Sequence, residues 1–516
     1  TLFITRKVFF YGLVSMIPYY AVRRDFPAIE TIMEPRTLLT LLFLGCVASA
    51  LCFFAWNWVI KKLGAVVTTN YGYFNPVVTM VFAWLLLSER ITGWFLLGTA
   101  LILSGMYLAR RKNERRKEAG MKVSGPTTGR GRYVVLDALR GFALLGIALA
   151  NFPEFGLWTF LTSGAQDSMA TACIDHVVRF CQYLFVDGKF YTIFSVLFGI
   201  GFALILARHD VRLFYRRMGV LLVIGLLHLL FIWSGDILFL YAVGGLLLPL
   251  FLRLSDRTLL TISGILLMLP VALEAWQEWA GIDMAAPLYD AWWRQAGRSG
   301  ITEENFATWL RDADSYAAVW EFLKQGAIER MWEFASGHRL PKVLGLFLIG
   351  YCIGRARLFA RIDELRPQLR CMLCWTLGIG LPTSVVYAWS AVNGQPWGVT
   401  CHSLLYAVSV VPMGFAYMCV VCLWQKPFAP LRWAGRMALS CYIGQSVAGI
   451  LLFYGIGLGL GLTFGLVHIE LTALAVFLFQ ILLSRLWLRH FRFGPLEWLW
   501  RLLTYGRYFP IVRVQR

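Results

Sequence analysis

The sequence predicts an all-α polytopic membrane protein of about 14 transmembrane helices, four and then ten, with an outer amphipathic helical segment. Three observations predict it. Of 516 residues, 59% are hydrophobic and only 15% charged, with a mean hydropathy of +0.64, well beyond an ordinary soluble domain. Apolar runs long enough to span, about 20 residues each, recur along the chain. The Lys and Arg behind the formal net charge of +19 cluster between those runs. The basicity therefore reads as topology, with no nucleic-acid partner.

The first four runs lie near residues 7–22, 38–59, 65–87 and 93–109. The first follows Arg6 and Lys7, lacks a small-residue cleavage site and is followed by more spans, so it reads as a span and not as a cleaved leader. The pattern is already under way at Thr1, which leaves room for an upstream segment. Residues 111–133, within "ARRKNERRKEAGMKVSGPTTGRGRY", are basic and then rich in Gly, Thr and Pro, with no apolar face to bury. They read as a cytosolic linker.

Ten further runs follow, near residues 136–156, 183–207, 214–234, 237–253, 258–276, 341–356, 371–391, 399–424, 437–462 and 467–487. With the linker inside, alternate crossings place "RHDVRLFYRR", "RLSDR", "RARLFARIDELRPQLR", "QKPFAPLRWAGR" and the basic C-terminus inside as well. Lys61 and Lys62 agree with that parity, whereas Arg23 and Arg24 fall outside beside Asp25. The chain thus divides into residues 1–110, the linker 111–133 and a membrane domain 134–516.

Residues 277–340 form the long outer segment, with more acid than base and a run of tryptophans that includes Trp279, Trp292, Trp293, Trp309, Trp320 and Trp332. Apolar residues at helical spacing predict amphipathic helices at the outer membrane surface, with Thr302 as an N-cap before Glu303 and Glu304. Such helices would cover a site, bind an acceptor, or serve as a structural cap. The eleven cysteines give no disulfide framework. Cys371-x-x-Cys374 and Cys419-x-x-Cys422 have zinc-ligand spacing but read as small core residues, and no metal is expected.

"NYGYFNPVVTMVFAWLLLSERITGWFLLGTALILSGMYLARRK", with Pro76 inside a span, Glu89 at its outer end and the Gly98 to Gly105 spacing, resembles the closing part of an EamA-type drug/metabolite transporter repeat. Transporters of that family use two inverted repeats, and less than one is present here. A homodimer, an upstream half or a structural role would each accommodate the shortfall.

Polar residues of the second domain recur on stripes. Asp137 and Arg140 share a helix face, and Asn151 lies about 40° from Asp137 and about 21 Å along the axis. Arg217 and His228 lie about 20° apart on another helix. Asn151, Lys189, His228 and Asp236 fall at similar outer depth, whereas Arg140, Arg216, Arg217, Arg355 and Arg436 gather on the cytosolic side. Two readings stand. These groups are topological ion pairs and satisfied helix contacts, or they line a path through the protein. Arginines suit a phosphorylated donor, and a histidine oriented by a carboxylate suits a general base.

The stretches "LDALRGFALLGIALAN", "GKFYTIFSVLFGIGFAL", "GLLHLLFIWSGDILFLYAVGGLLLP", "KVLGLFLIGYCIGR" and "GRMALSCYIGQSVAGILLFYGIGLGL", in order over residues 132–510, resemble the YeiB-like family of bacterial inner-membrane proteins. That family is distantly similar to transmembrane acyltransferases, among them the heparan-alpha-glucosaminide N-acetyltransferases. The resemblance implies a multi-pass protein of the bacterial inner membrane that moves an acyl group from cytosolic acyl-CoA (acetyl-CoA) to a small-molecule or glycan acceptor outside. Asp137, Arg140, Gly141 and Asn151 occupy the shared opening pattern. The acyltransferases keep a histidine in the outer loop after the first helix. Here that region holds only His176, in "CIDHVVRFCQYLF", and His228 is ranked ahead of it as the base.

The expected donor site is therefore Asp137, Arg140, Arg216, Arg217 and Arg436. The expected reaction centre is His228 held by Asp236, with Asn151 or Lys189 stabilising the oxyanion. The alternative is a small-metabolite transporter, possible in a proton-coupled form, using the same stripe. Membrane lipid is the surrounding partner in both cases.

Overall fold

The computed structural model describes residues 133–512 and the single residue Thr37. The chain divides into two compact units, residues 1–122 and 123–516. The four N-terminal spans, the linker up to residue 132 and the EamA-like pattern lie outside the described residues, Thr37 apart.

The described part is helical, with one isolated bridge between Phe491 and Val512 and no extended strand among those residues. Its principal helices are α1 (Val134–Phe155), α2 (Ala172–Phe185), α3 (Lys189–Leu206), α4 (Val211–Phe231), α5 (Leu238–Leu247) and α6 (Asp256–Ala280). There follow α7 (Ala286–Arg298), α8 (Phe306–Asp312), α9 (Tyr316–Ser336), α10 (Arg339–Arg355), α11 (Arg366–Val392) and α12 (Gly398–Leu423). The chain closes with α13 (Arg432–Arg436), α14 (Ala438–Phe453), α15 (Leu466–His490) and α16 (Pro495–Tyr505).

Each of the ten apolar runs contains a helix, though the run 183–207 is split by the turn at 186–188 and the run 437–462 leaves its helix after Phe453. Among the described residues seven are long and apolar enough to cross a membrane, α2 and α3 counting as one 35-residue unit. An eighth is obtained if Gln425–Arg436 and α14, which meet at 79°, form one broken span. The apolar segment Leu238–Phe251 and the 17-residue α10 are shorter. The protein is a multi-pass membrane protein.

Its packing is that of a protein in lipid. Exposed positions of α15 include Leu471, Leu478, Phe479 and Leu482, while Gln480 and Ser484 on the same helix are buried. The apolar face points out and polar groups point in, since lipid cannot pair them. Proline stands inside α1, α6, α11 and α12 at Pro153, Pro270, Pro382 and Pro412.

Two close contacts hold the helices that matter for the site. A Cβ on Gly199 of α3 would lie 2.0 Å from the Phe347 carbonyl oxygen of α10, and one on Gly350 of α10 would lie 2.0 Å from the Val196 oxygen. Backbone meets backbone there, as small residues allow. Likewise a Cβ on Gly435 of α13 would stand 1.8 Å from the Asp137 oxygen, so α13 is pressed onto the start of α1. Gly201, two residues from Gly199, faces open space.

The outer segment forms α7, α8 and α9. Thr302 does not cap a helix: residues 303–305 form a turn, and its own N–H donates to Asn305 Oδ1 at 2.8 Å, so the helix begins at Phe306. Competition from the Asn305 side chain explains the shift. Trp292 stacks on Trp293 and Trp332, with centroids 5.0 and 5.4 Å away, and its indole N–H donates to buried Gln325. Cys371 and Cys374 are exposed, Cys419 is buried, and no cluster of three metal-ligating side chains occurs among the described residues.

Replacing Gly350 with Leu should cost about 1–3 kcal/mol or prevent folding, because side-chain volume is forced into a backbone contact. Gly201→Ala should leave stability near that of the parent. Thermal unfolding of both variants in detergent checks the pair.

Candidate functional site: a cavity with two charged ends

One cavity of about 620 Å³ runs between α1, α3, α4, α5, α9, α10 and the C-terminal helices. Arg140 and Glu154, both on α1 and both in its wall, are fourteen residues apart, about 21 Å along the axis. Ile147, Phe194, Leu197, Phe198, Leu221 and Tyr241 line an apolar stretch. The cavity thus runs much of the length of α1.

Arg140, Arg217, Arg436 and Arg501 line one end, together with the carboxylate of Glu497. Arg140 donates to buried Asp137 at 3.1 Å, and Arg217 lies 3.7 Å above the Trp500 ring, whose indole N–H donates to the Arg217 carbonyl. Arg436 packs over Trp433 at 5.6 Å and Arg501 over Phe493 at 4.4 Å. Aromatic faces support guanidinium groups through cation–π contact. Glu497 accepts from the N–H groups of Leu439 and Ser440 at 2.6 and 3.0 Å and from the Ser440 hydroxyl at 2.5 Å. It satisfies the first turn of α14 from α16, and burial pushes its carboxyl up against the lowering effect of these hydrogen bonds.

The other end mixes signs. Glu154 and Asn151 come from α1, Asp187 from the turn before α3, Arg330 and Glu333 from α9, and Arg339 and Lys342 from α10. Arg330 donates to the Ser234 carbonyl at 2.9 Å, pairs closely with Glu333 and stands 3.9 Å from Glu154. Tyr387 donates to Asp187 at 2.5 Å. The outer segment therefore closes this end of the cavity through α9.

Sequence reasoning paired His228 with Asp236, and the pair is present: Nδ1 lies 2.9 Å from Asp236 Oδ1. Both are fully buried, and Asp236 Oδ2 accepts from the Phe239 N–H at 2.6 Å. The partner it missed is Ser446, whose Oγ lies 3.0 Å from His228 Nε2. This hydroxyl–imidazole–carboxylate order is that of a nucleophile chain. Yet neither His228 nor Ser446 lines the cavity. With both ring nitrogens occupied, the chain locks residues 232–237, which deliver Gly235, Asp236 and Ile237 to the wall. His228 thus holds the segment that forms part of the wall and does not itself line it.

Lys189 also departs from expectation. Its neighbour Gly188 has φ +71° and reverses the chain, so the ammonium turns back to donate to the Tyr183 carbonyl at 2.6 Å, near the end of α2, and lies over the Tyr387 ring. A cation at a helix C-terminus satisfies an orphan carbonyl there, and Lys189 does not line the cavity. Arg216 is likewise outside, donating to the Leu503 carbonyl at 2.9 Å, and Arg355 is held by Asp256. His176 pairs with Asp167 at 2.9 Å on an exposed surface away from the cavity.

Glu154, Arg330, Glu333, Arg339, Lys342 and Arg501 were not singled out by sequence. The signal was weak. Glu154 closes the same stripe as Arg140, but Arg330 and Glu333 stand on an outer helix, Arg501 on a terminal one, and Arg339 and Lys342 at the mouth of a span, where charge is ordinarily solvated.

His228→Ala should lower stability by about 3 kcal/mol, since it strands a buried carboxylate. Ser446→Ala should cost only about 1 kcal/mol. Unfolding of the two variants in detergent, compared with the parent, checks the ordering.

The family model described as a protein of unknown function, DUF418, matches residues 353–507, and that of the EamA-like transporter family matches residues 1–111. A Bacillus acidopullulyticus protein described as an uncharacterized 39.9 kDa protein in the amylase 3' region is 33% identical over 394 residues, covering 74% of this chain and 96% of its own. YxaH of Bacillus subtilis is 29% identical, covering 75% of this chain and 98% of its own. YeiB of Escherichia coli is 28% identical, covering 72% and 96%. No solved structure matches the chain. With its cover of these relatives nearly end to end, the chain belongs to the DUF418 family of YeiB and YxaH homologues, fused behind an EamA-like domain.

Proposed function

We propose that the second unit is a membrane-embedded acyltransferase of the bacterial inner membrane. It takes an acyl group from cytosolic acyl-CoA and passes it to a hydroxyl or amine that reaches the cavity from outside. The observation that carries this reading is the single cavity with four arginines at one end and a mixed acid–base group at the other. Arg140, Arg217, Arg436 and Arg501 hold the donor's phosphates, for which the guanidinium fork is suited. Asp137 orients Arg140. The apolar stretch then receives the donor's flexible arm and places the thioester near Asn151. The linker and C-terminus are cytosolic in this reading, as the distribution of basic residues requires.

A transporter of small metabolites is the second reading, favoured by the EamA-like domain at residues 1–111. A carrier would move its substrate unchanged, whereas the acyltransferase releases a free thiol. The two are separable by product.

Calorimetry of the full chain in detergent tests the donor site. Acetyl-CoA or a longer acyl-CoA should bind saturably, and Arg217→Ala should weaken binding about tenfold or more, the cost of roughly 1.5–3 kcal/mol for a hydrogen bond to a charged group. Absence of binding by folded protein to both donors would sink the acyltransferase reading.

A further inference from the structure

The mixed end of the cavity has a chemistry of its own. Glu154 lines the wall, and its side chain accepts no hydrogen bond among the described residues. The nearest cation, Arg330, stands 3.9 Å away, within ion-pair range but beyond a hydrogen bond. Arg330 is spent on Glu333 and the Ser234 carbonyl. A carboxylate in a cavity wall, with a guanidinium 3.9 Å away and no hydrogen bond accepted from the described residues, is placed to accept a proton from something in that cavity.

Nearby, α10 contributes two further cations to the same wall. Arg339 stands 3.8 Å from Glu333 and already shares that carboxylate with Arg330. The Lys342 ammonium lies 4.6 Å from the Tyr406 ring centroid and has no carboxylate within 4.0 Å among the described residues. It is a cation on an aromatic face, turned to a cavity, whose charge no neighbour cancels by contact.

Resting on the acyl-transfer reading, we infer that the acceptor is an anionic alcohol or amine, one that carries a phosphate or carboxylate beside its nucleophile. Lys342, with Arg339, holds the anionic group. Glu154 takes the proton of the hydroxyl or amine as it attacks the acyl carbonyl. A carbon–oxygen or carbon–nitrogen bond forms, and the carbon–sulfur bond breaks. The leaving thiolate then receives the proton that Glu154 took, which gives free thiol and restores the carboxylate. Asn151, three residues before Glu154 in the same wall, donates to the carbonyl oxygen as charge builds on it.

The test uses the full chain with acetyl-CoA and four acceptor probes: glycerol, glycerol 3-phosphate, glucose and glucose 6-phosphate. Thiol release should be faster with the phosphorylated member of each pair. Glu154→Gln should lower kcat at least 100-fold with the acetyl-CoA Kd unchanged, which also shows that the variant folds. Lys342→Gln should raise KM for the phosphorylated acceptor tenfold or more, with little change in kcat, and abolish the preference over the neutral partner.

Equal rates with neutral and phosphorylated probes, or a Glu154→Gln enzyme of full activity, would overturn the inference. Calorimetry with glucose 6-phosphate alone separates it from the donor reading. If acetyl-CoA fails to bind, the transfer step falls. Sugar phosphate binding that Lys342→Gln weakens would still establish the anion site, and binding indifferent to that substitution, or none, would remove it.

Discussion

The cost of placing charge inside a body surrounded by lipid governs this structure. A carboxylate or guanidinium on a membrane helix must face a partner or a wet cavity, and every other placement is prohibitive. The first described helix carries Asp137 and Arg140 near its start and Asn151 and Glu154 near its end. That helix therefore cannot present either end to lipid. Its neighbours are arranged around it accordingly, with α13 pressed on the arginine end through Gly435, and α9 reaching the other with Arg330.

The same constraint explains why two sets of buried polar groups have opposite fates. His228 is bonded at both ring nitrogens, to Asp236 and Ser446, and His228 and Ser446 lie outside the cavity wall that Asp236 reaches. Glu154 and Lys342 are not consumed in this way, and they remain in the cavity wall. Satisfaction, and not residue type, separates scaffold from candidate chemistry. His228, bonded at both ring nitrogens, holds the segment that supplies Gly235, Asp236 and Ile237 to the wall.

Much of the fold was legible because lipid enforces a simple rule, that apolar runs become helices. All ten runs of the second domain contain a helix, and Arg140 and Asn151 of the first stripe do line a cavity together with Arg217 and Arg436. The His228 and Asp236 contact was legible too, because only eight residues separate them. What could not be read depends on distant partners and on local backbone reversals. Ser446 is 218 residues from His228, and the left-handed Gly188 sends Lys189 back toward α2. Arg330 and Arg501 were missed because α9 and α16 look like solvated surfaces until they are folded against the core, and Lys342 because a lysine at the mouth of a span ordinarily reaches the headgroups.

The central claim is that one water-accessible cavity joins the arginine end to the mixed end. Its most direct test is the reactivity of a cysteine placed at Ala150, an exposed position of the wall, in sealed vesicles of the full chain. The account predicts that Ala150→Cys reacts with a charged maleimide, that acyl-CoA bound at the arginines slows the reaction, and that Leu478→Cys on the outward face of α15 stays unlabelled. An unreactive Ala150→Cys, or labelling at one rate with and without saturating acyl-CoA, would contradict it.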